Sequence, residues 1–218
     1  DPDDIQIRID LIQVLRDRQR YEKAFEETDK LLQINPDNLQ FQSLYAILCM
    51  QLGDFDSAIN YFDRIIERSP KDPITHVSRG HALKTKGDFS EAVTSYRKAS
   101  KNQPLHCEAY YALSNLKTYR FSDEEVEAMQ HIANDARVSG QNEVYLNFAL
   151  GKAFEDRKNF DLAFSHYAFG NSTKAALVNY DSDNTTKQTQ DQIDACDKML
   201  FEKFRNMGNG AADPIFIV

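Results

Sequence analysis

A 34-residue period limits what this chain can fold into more than any other feature. Gly53-Asp54-Phe55 returns as Gly87-Asp88-Phe89 after a shift of 34 residues. The same shift carries Ala58 onto Ala92, Phe62 onto Tyr96 and Pro70 onto Pro104. Moving back by 34 carries Pro70 onto Pro36, Ala58 onto Ala24 and Phe55 onto Tyr21. Several unlike residue types thus keep one spacing over three units. That is the mark of an array in which each unit hides its apolar face against the next.

Each unit reads as two helices. Gly53 and Gly87 fall where a first helix must end, a position that favours left-handed backbone. Asp54 and Asp88 follow as acceptors able to cap the next helix. Ala24, Ala58 and Ala92 are small, as a close crossing of paired helices requires. Pro36, Pro70 and Pro104 close the second helix, because proline has no amide hydrogen and clashes with the preceding turn. Ala58, Ile59, Phe62, Ile65 and Ile66 recur at helical spacing and form its apolar face. These residues and spacings resemble the tetratricopeptide family. The resemblance implies an all-α fold, a right-handed superhelix of antiparallel helix pairs with a short extended C-terminal tail.

Three regular units are expected at about residues 5–38, 39–72 and 73–106, the regular run closing at Pro104. Residues 105–178 read as degenerate units with an intervening helix. A first helix is expected over 107–118, with Tyr110, Leu113 and Leu116 as packing residues. Ser122-Asp123-Glu124-Glu125 opens a helix that runs to about Arg137 and is broken by Gly140. In a fifth unit Leu150-Gly151, Phe160, Ala163 and Tyr167 match the family pattern, and Lys158 takes the place of the turn glycine. Its closing proline is missing, so the second helix should run on towards Val178. Residues 181–190 are polar and aperiodic, which predicts a mobile loop. A last helix over about 190–205 carries Ile193, Met199, Leu200 and Phe204. Residues 215–218, Ile-Phe-Ile-Val, read as a buried strand or linker.

A narrower resemblance rests on a series of segments in the second half. They are Asn115-Leu116-Lys117-Thr118, Phe121-Ser122-Asp123-Glu124-Glu125 and Asn147-Phe148-Ala149-Leu150-Gly151-Lys152-Ala153-Phe154-Glu155-Asp156. Ala163-Phe164-Ser165-His166-Tyr167-Ala168-Phe169-Gly170-Asn171, Tyr180-Asp181 and Asp213-Pro214-Ile215-Phe216-Ile217-Val218 complete it. This order is similar to the amino-terminal half of bacterial tetratricopeptide-repeat sulfotransferases. In that family the apolar strand leads into a Gly-x-Pro-Arg-Ser-Gly-Thr loop that holds the donor, 3′-phosphoadenosine-5′-phosphosulfate. The loop is absent after Val218, so the resemblance implies the non-catalytic repeat region of a donor-dependent sulfotransferase. On that reading the cofactor belongs to the parent protein and not to this chain. The alternatives are an ordinary apolar tail and a stand-alone adaptor that binds an extended peptide or partner protein.

Composition excludes several other classes. A net charge of −8 disfavours attraction to phosphate backbones, so no nucleic-acid partner is expected. No apolar run approaches the roughly 18 residues needed to span a bilayer. Asp1-Pro2-Asp3-Asp4 offers no signal peptide, and the lack of an initiator Met points to a processed or excised chain. Cys49, Cys107 and Cys196 read as reduced core thiols in a cytoplasmic protein. The acceptor triplets at Asn171 and Asn184 then read as coincidence. His76 and His81 are five apart and His106-Cys107 lacks a second pair, so no metal site is expected. Lys84, Lys86, Arg97, Lys98 and Lys101 read as a solvated face, and no catalytic constellation emerges.

The best functional surface is the inner face of the superhelix, lined, by resemblance, with first-helix residues. These are Gln6, Ile9 and Gln13, then Gln40, Ser43 and Ile47, then Ile74, Val77 and His81. The later units supply Glu108, Tyr111 and Asn115, then Tyr145, Phe148 and Lys152. Ile9, Leu44 and Ile74 stand where a clamp for a terminal carboxylate would need polar or basic groups. A weakly charged, partly aromatic groove suits an extended peptide, or elements of an attached sulfotransferase domain.

Overall fold

The computed structural model describes residues 5–178, 180–205 and 207. Among these residues there are twelve helices and no strand. The chain divides into two units, residues 1–177 and 178–218.

The first unit opens with three regular pairs. They are α1 (Ile5–Asp17) with α2 (Tyr21–Ile34), α3 (Leu39–Gln51) with α4 (Phe55–Arg68), and α5 (Pro73–Lys86) with α6 (Phe89–Asn102). Local chemistry sets the boundaries. Asn38 accepts from the amides of Gln40 and Phe41, and Asp72 accepts from Ile74 and Thr75 with Pro73 in the first turn. Asp54 caps α4 by accepting from the Ser57 amide at 3.1 Å. Asp88 does not cap α6 with its side chain; it lies 3.5 Å from Lys86, which also meets Asp56 at 2.7 Å. The turn between paired helices needs a left-handed residue in three of these pairs and again later: Gln19, Gly53, Gly87 and Lys158 all have positive φ, from 56° to 102°.

Packing follows the period. Ala24, Ala58 and Ala92 are fully buried at the crossings. One apolar cluster joins Ile12 of α1 and Leu31 of α2 to Phe41 and Leu48 of α3. A second joins Ala46 of α3 and Phe62 of α4 to Ala82 of α5. Both cores therefore belong to two successive pairs, and a third runs on from Val77 of α5 to Ala163 near the end of the unit, so no pair owns a core by itself. Gly80 permits the tightest contact: a Cβ there would lie 2.4 Å from the ring of the fully buried Tyr96. Burial pushes the Cys49 thiol up to about 11 and the Cys107 thiol up to about 12, so both stay protonated in the core.

The later part of this unit departs from regularity. The helix expected over 107–118 stops early, as α7 (Glu108–Ser114). The chain then turns so that Leu116 and Phe121 enter the core, with Tyr119 edge-on to Phe121 at 5.2 Å. α8 (Asp123–Ala133) starts at a reciprocal capping box between Ser122 and Glu125. It ends before Arg137 because Asn134 caps it and Asp135 folds back onto Arg137, with an Nη2–Oδ2 separation of 2.6 Å. α9 (Gln141–Asp156) and α10 (Phe160–Leu177) form the final pair, and α10 runs longer than the other second helices.

The second unit corrects three expectations. Residues 181–190 are not a loop: α11 (Ser182–Ala195) covers them, with Asp181 accepting from the Asp183 and Asn184 amides. The single last helix is also divided, since Cys196 and Asp197 separate α11 from α12 (Lys198–Lys203). Asp197 starts α12 by accepting from the Leu200 amide at 2.7 Å. Neither helix has a buried residue, so capping and backbone bonds hold them and packing does not. Cys196 is exposed, unlike the two core thiols, because α11 contributes to no core. The expected strand at 215–218 lies outside the described residues.

Lys158 holds φ 59° where the second and third pairs have Gly53 and Gly87. Lys158→Gly should stabilise the fold by about 0.5–1 kcal/mol, relieved left-handed strain outweighing added unfolded-state freedom. Gly53→Ala should shift stability the other way by a similar amount, and urea unfolding of both variants would show the opposite signs.

Candidate functional site

First helices α3, α5, α7 and α9 touch in series within the first unit, and they carry the residues expected on the inner face from Gln40 to Lys152. The aromatic members meet at its carboxy-terminal end. Tyr111 of α7 stacks on Tyr145 of α9 with ring centroids 5.0 Å apart, and Phe148 lies 6.1 Å from Tyr111. Phe148 is in turn 6.3 Å from Tyr167 of α10. A cleft of about 200 Å³ opens among Tyr111, Ser114, Asn115, Phe148, Lys152 and Tyr167.

Polar groups flank this cluster. Glu108 Oε1 lies 3.5 Å from His81 Nε2, and its other oxygen lies 3.6 Å from His106 Nε2. The His81 ring holds the Glu108 carboxyl below its ordinary value of 4.5, against the opposing effect of burial. Burial keeps the Tyr96 hydroxyl protonated, and that oxygen lies 2.9 Å from His81 Nδ1. A relay from Tyr96 through His81 to Glu108 thus orients the carboxylate at the edge of the aromatic face. On the other side Lys152 pairs with Asp156, which Arg120 approaches at 3.5 Å. The Tyr167 hydroxyl donates to Glu155 at 2.9 Å.

The remaining inner-face residues are spread out. Gln6 and Gln13 are exposed and donate to Asp10 and Asp17 on their own helix. Ile9 and Ile47 pack partly against the cores, Ser43 is half-buried, and Gln40 and Ile74 are exposed. Val77 is only 2% exposed and belongs to the core, so it offers no binding surface. The cause is that α5 is packed on by α3, α4, α6 and α7, leaving a short side chain nowhere to emerge. Tyr167, His106 and Asp156 flank this face from outside the first-helix stripe, and the fully buried Tyr96 supports it from beneath through His81. Tyr167 reaches it because Gly151 faces its ring, where a Cβ would come within 2.6 Å. The pairing repeats Gly80 with Tyr96, a signal that the Leu150-Gly151 match alone did not reveal.

A larger groove of about 860 Å³ lies elsewhere, between α6 and α8, lined by Arg97, Lys101, Tyr110, Glu124, Ala128 and His131 among others. Its central carboxylate is already satisfied. Glu125 accepts from the Tyr119 hydroxyl at 2.7 Å and the Ser122 amide at 3.0 Å, and it pairs with Arg97 at 3.0 Å. That groove follows from the shortened α7 and offers fewer unmatched polar groups than its size suggests. Among the other histidines, His76 is buried with Nε2 on the Pro70 carbonyl at 2.9 Å. Among the described residues no helix is long and apolar enough to cross a membrane.

Because Glu108 titrates below 4.5 when folded, its stabilising contribution is present above that pH and lost as pH falls through the folded value. Glu108→Gln should therefore flatten the fall in stability between about pH 5 and pH 3, as read from urea midpoints.

A sequence model of the tetratricopeptide repeat matches residues 15–86, and a second of the same description matches residues 75–104. An uncharacterized protein of Aquifex aeolicus (strain VF5) is 21% identical over the whole of this chain, which spans 34% of that protein. The small glutamine-rich tetratricopeptide repeat-containing protein 2 of Mycosarcoma maydis is 32% identical over 84 residues, 38% of this chain and 24% of the relative. The chain thus spans about a third or less of these relatives' lengths. In fold it is similar to TTC0263, a thermophilic TPR protein in Thermus thermophilus. The TM-score is 0.54 at 16% identity, covering 77% of this chain and 90% of the other. Period, helix pairing and these matches agree: the chain carries tetratricopeptide repeats across residues 15–104 and has the all-helical fold of tetratricopeptide proteins.

Proposed function

We propose that the inner face at α5, α7 and α9 binds an extended peptide segment of a partner protein, which makes the chain a non-catalytic interaction scaffold. The stacked Tyr111–Tyr145 pair with Phe148 carries this reading. Such rings offer large contact area at small entropic cost and favour apolar or aromatic side chains of a ligand. Cleft size points the same way. About 200 Å³ falls below the roughly 300–1,000 Å³ usual for small-molecule pockets and suits one inserted side chain. Asn115, exposed at the rim, can both donate to and accept from a peptide backbone. Glu108 and the Lys152–Asp156 pair give the face both signs of charge at its margins.

Peptides selected from a displayed random library on this chain provide the test. Tyr111→Ala and Phe148→Ala should each weaken the selected peptides by about 10-fold or more, the scale of aromatic hot spots. Ala128→Arg in the α6–α8 groove should leave binding unchanged. Peptides indifferent to both aromatic substitutions and lost with Ala128→Arg would place the site in that groove instead.

A finer reading makes this the substrate-presenting or bracing region of a sulfotransferase that uses 3′-phosphoadenosine-5′-phosphosulfate. It is supported by the segment series across residues 107–218, and the alternative is a stand-alone adaptor. Titrating the donor into this chain should give no specific heat, and codons following Val218 in the gene should encode a Pro-Arg-Ser-Gly-Thr-type loop. A stop codon there favours the adaptor, and a micromolar donor signal would contradict a donor site lying beyond this chain.

A further inference from the structure

Phe89 opens α6 at the position held by Tyr21 in α2 and Phe55 in α4. Those two are half-buried, whereas Phe89 is 54% exposed. The difference traces to the first helix that follows. Lys86, at the end of α5, meets Asp56 beside Phe55 at 2.7 Å, so the last turn of α5 lies over the start of α4. A shift of 34 makes Arg120 equivalent to Lys86, but α7 stops at Ser114. Arg120 turns instead towards Asp156 at 3.5 Å and donates to the Lys117 carbonyl at 2.9 Å. The missing turn leaves Phe89 uncovered in the interior of the array.

A recess of about 290 Å³ opens there, lined by Lys84, Phe89, Asn115, Leu116, Lys117 and Thr118. Phe89 and Leu116, the latter only 4% exposed, give it an apolar wall. Lys84 is half-buried and Lys117 exposed, and among the described residues neither forms an ion pair. Other cations of this face are neutralised, Lys86 by Asp56 and Asp88, and Lys152 by Asp156. The recess therefore sets two unmatched positive charges beside apolar surface, in a chain whose net charge is −8. Asn115 also lines the aromatic cleft, so one extended segment can pass from Tyr111 and Phe148 into the recess.

We propose that the recess reads an acidic position in the bound segment: an apolar side chain enters it, and an adjacent aspartate or glutamate side chain meets Lys84 and Lys117. This rests on the peptide-binding reading and adds the chemical class of the ligand. Charge complementarity selects the acidic residue, since the aromatic cleft offers no unpaired cation and the recess offers two. Alternate side chains of an extended strand share one side. The residue in the recess therefore stands about two or four positions from the one held by the aromatic cleft.

Peptides selected from a displayed random library on the whole chain, then synthesised as carboxy-terminal amides, provide the test. They should carry Asp or Glu next to an apolar residue, and their affinity should fall as salt rises. Lys84→Glu combined with Lys117→Glu should weaken them by about 10-fold or more. Exchanging the acidic residue of the peptide for Lys should restore binding to that variant. Phe89→Ala, at an exposed position, should weaken the same peptides by about 5-fold while leaving the urea midpoint unchanged. Peptides that lose affinity with Tyr111→Ala yet ignore the lysine reversal would overturn this inference and leave the inner-face reading intact. Binding that vanishes on amidation would assign the lysines to a terminal carboxylate, which also overturns it. Peptides indifferent to both Tyr111→Ala and Phe148→Ala would remove the inner-face reading and this inference together.

Discussion

One constraint shapes this molecule: an antiparallel helix pair has two apolar flanks and can cover only one of them by itself. Closing the pair requires a small residue at the crossing, supplied by Ala24, Ala58 and Ala92 and again by Ala163 in the last pair. Covering the outer flank requires another pair, and the apolar clusters straddle successive pairs for that reason. Stability in such a stack is a sum over neighbouring interfaces, so irregularity in one pair need not spread to the others.

The fourth pair shows what that freedom permits. Shortening α7 to seven residues lets Leu116 and Phe121 turn into the core and sets α8 on its own capping box. The chain keeps its apolar burial while giving up the regular pairing. The α6–α8 groove is the by-product on one side. On the other, α7 and α9 sit directly against each other, and that contact brings Tyr111 onto Tyr145. The aromatic site thus depends on the loss of regularity as much as on the repeat.

Around that site, charge is fixed from beneath. Tyr96 is buried over Gly80 and reaches His81, and His81 reaches Glu108, so a core residue sets the orientation of a surface carboxylate. Lys152, Asp156 and Arg120 form a second fixed group at the far edge. Side chains held this way lose little freedom on meeting a ligand, which favours recognition by a preformed face.

The sequence by itself determined the fold class, the unit length and most helix boundaries, because Ala, Gly and Pro at those positions answer to backbone sterics that act locally. Lys158 at the left-handed turn and the long α10 were legible for the same reason. α11 was not legible, since its Thr, Asp, Asn and Gln have no apolar period and the Asp181 cap is a weak signal by itself. Packing alone reveals that Val77 is core, that Tyr167 reaches the inner face across Gly151 while Tyr96 stays buried over Gly80, and that Glu108 lies between two histidines. Those facts depend on which helix packs against which side. A period of 34 residues fixes the neighbours in a stack, but the space left between them depends on every side chain that fills it.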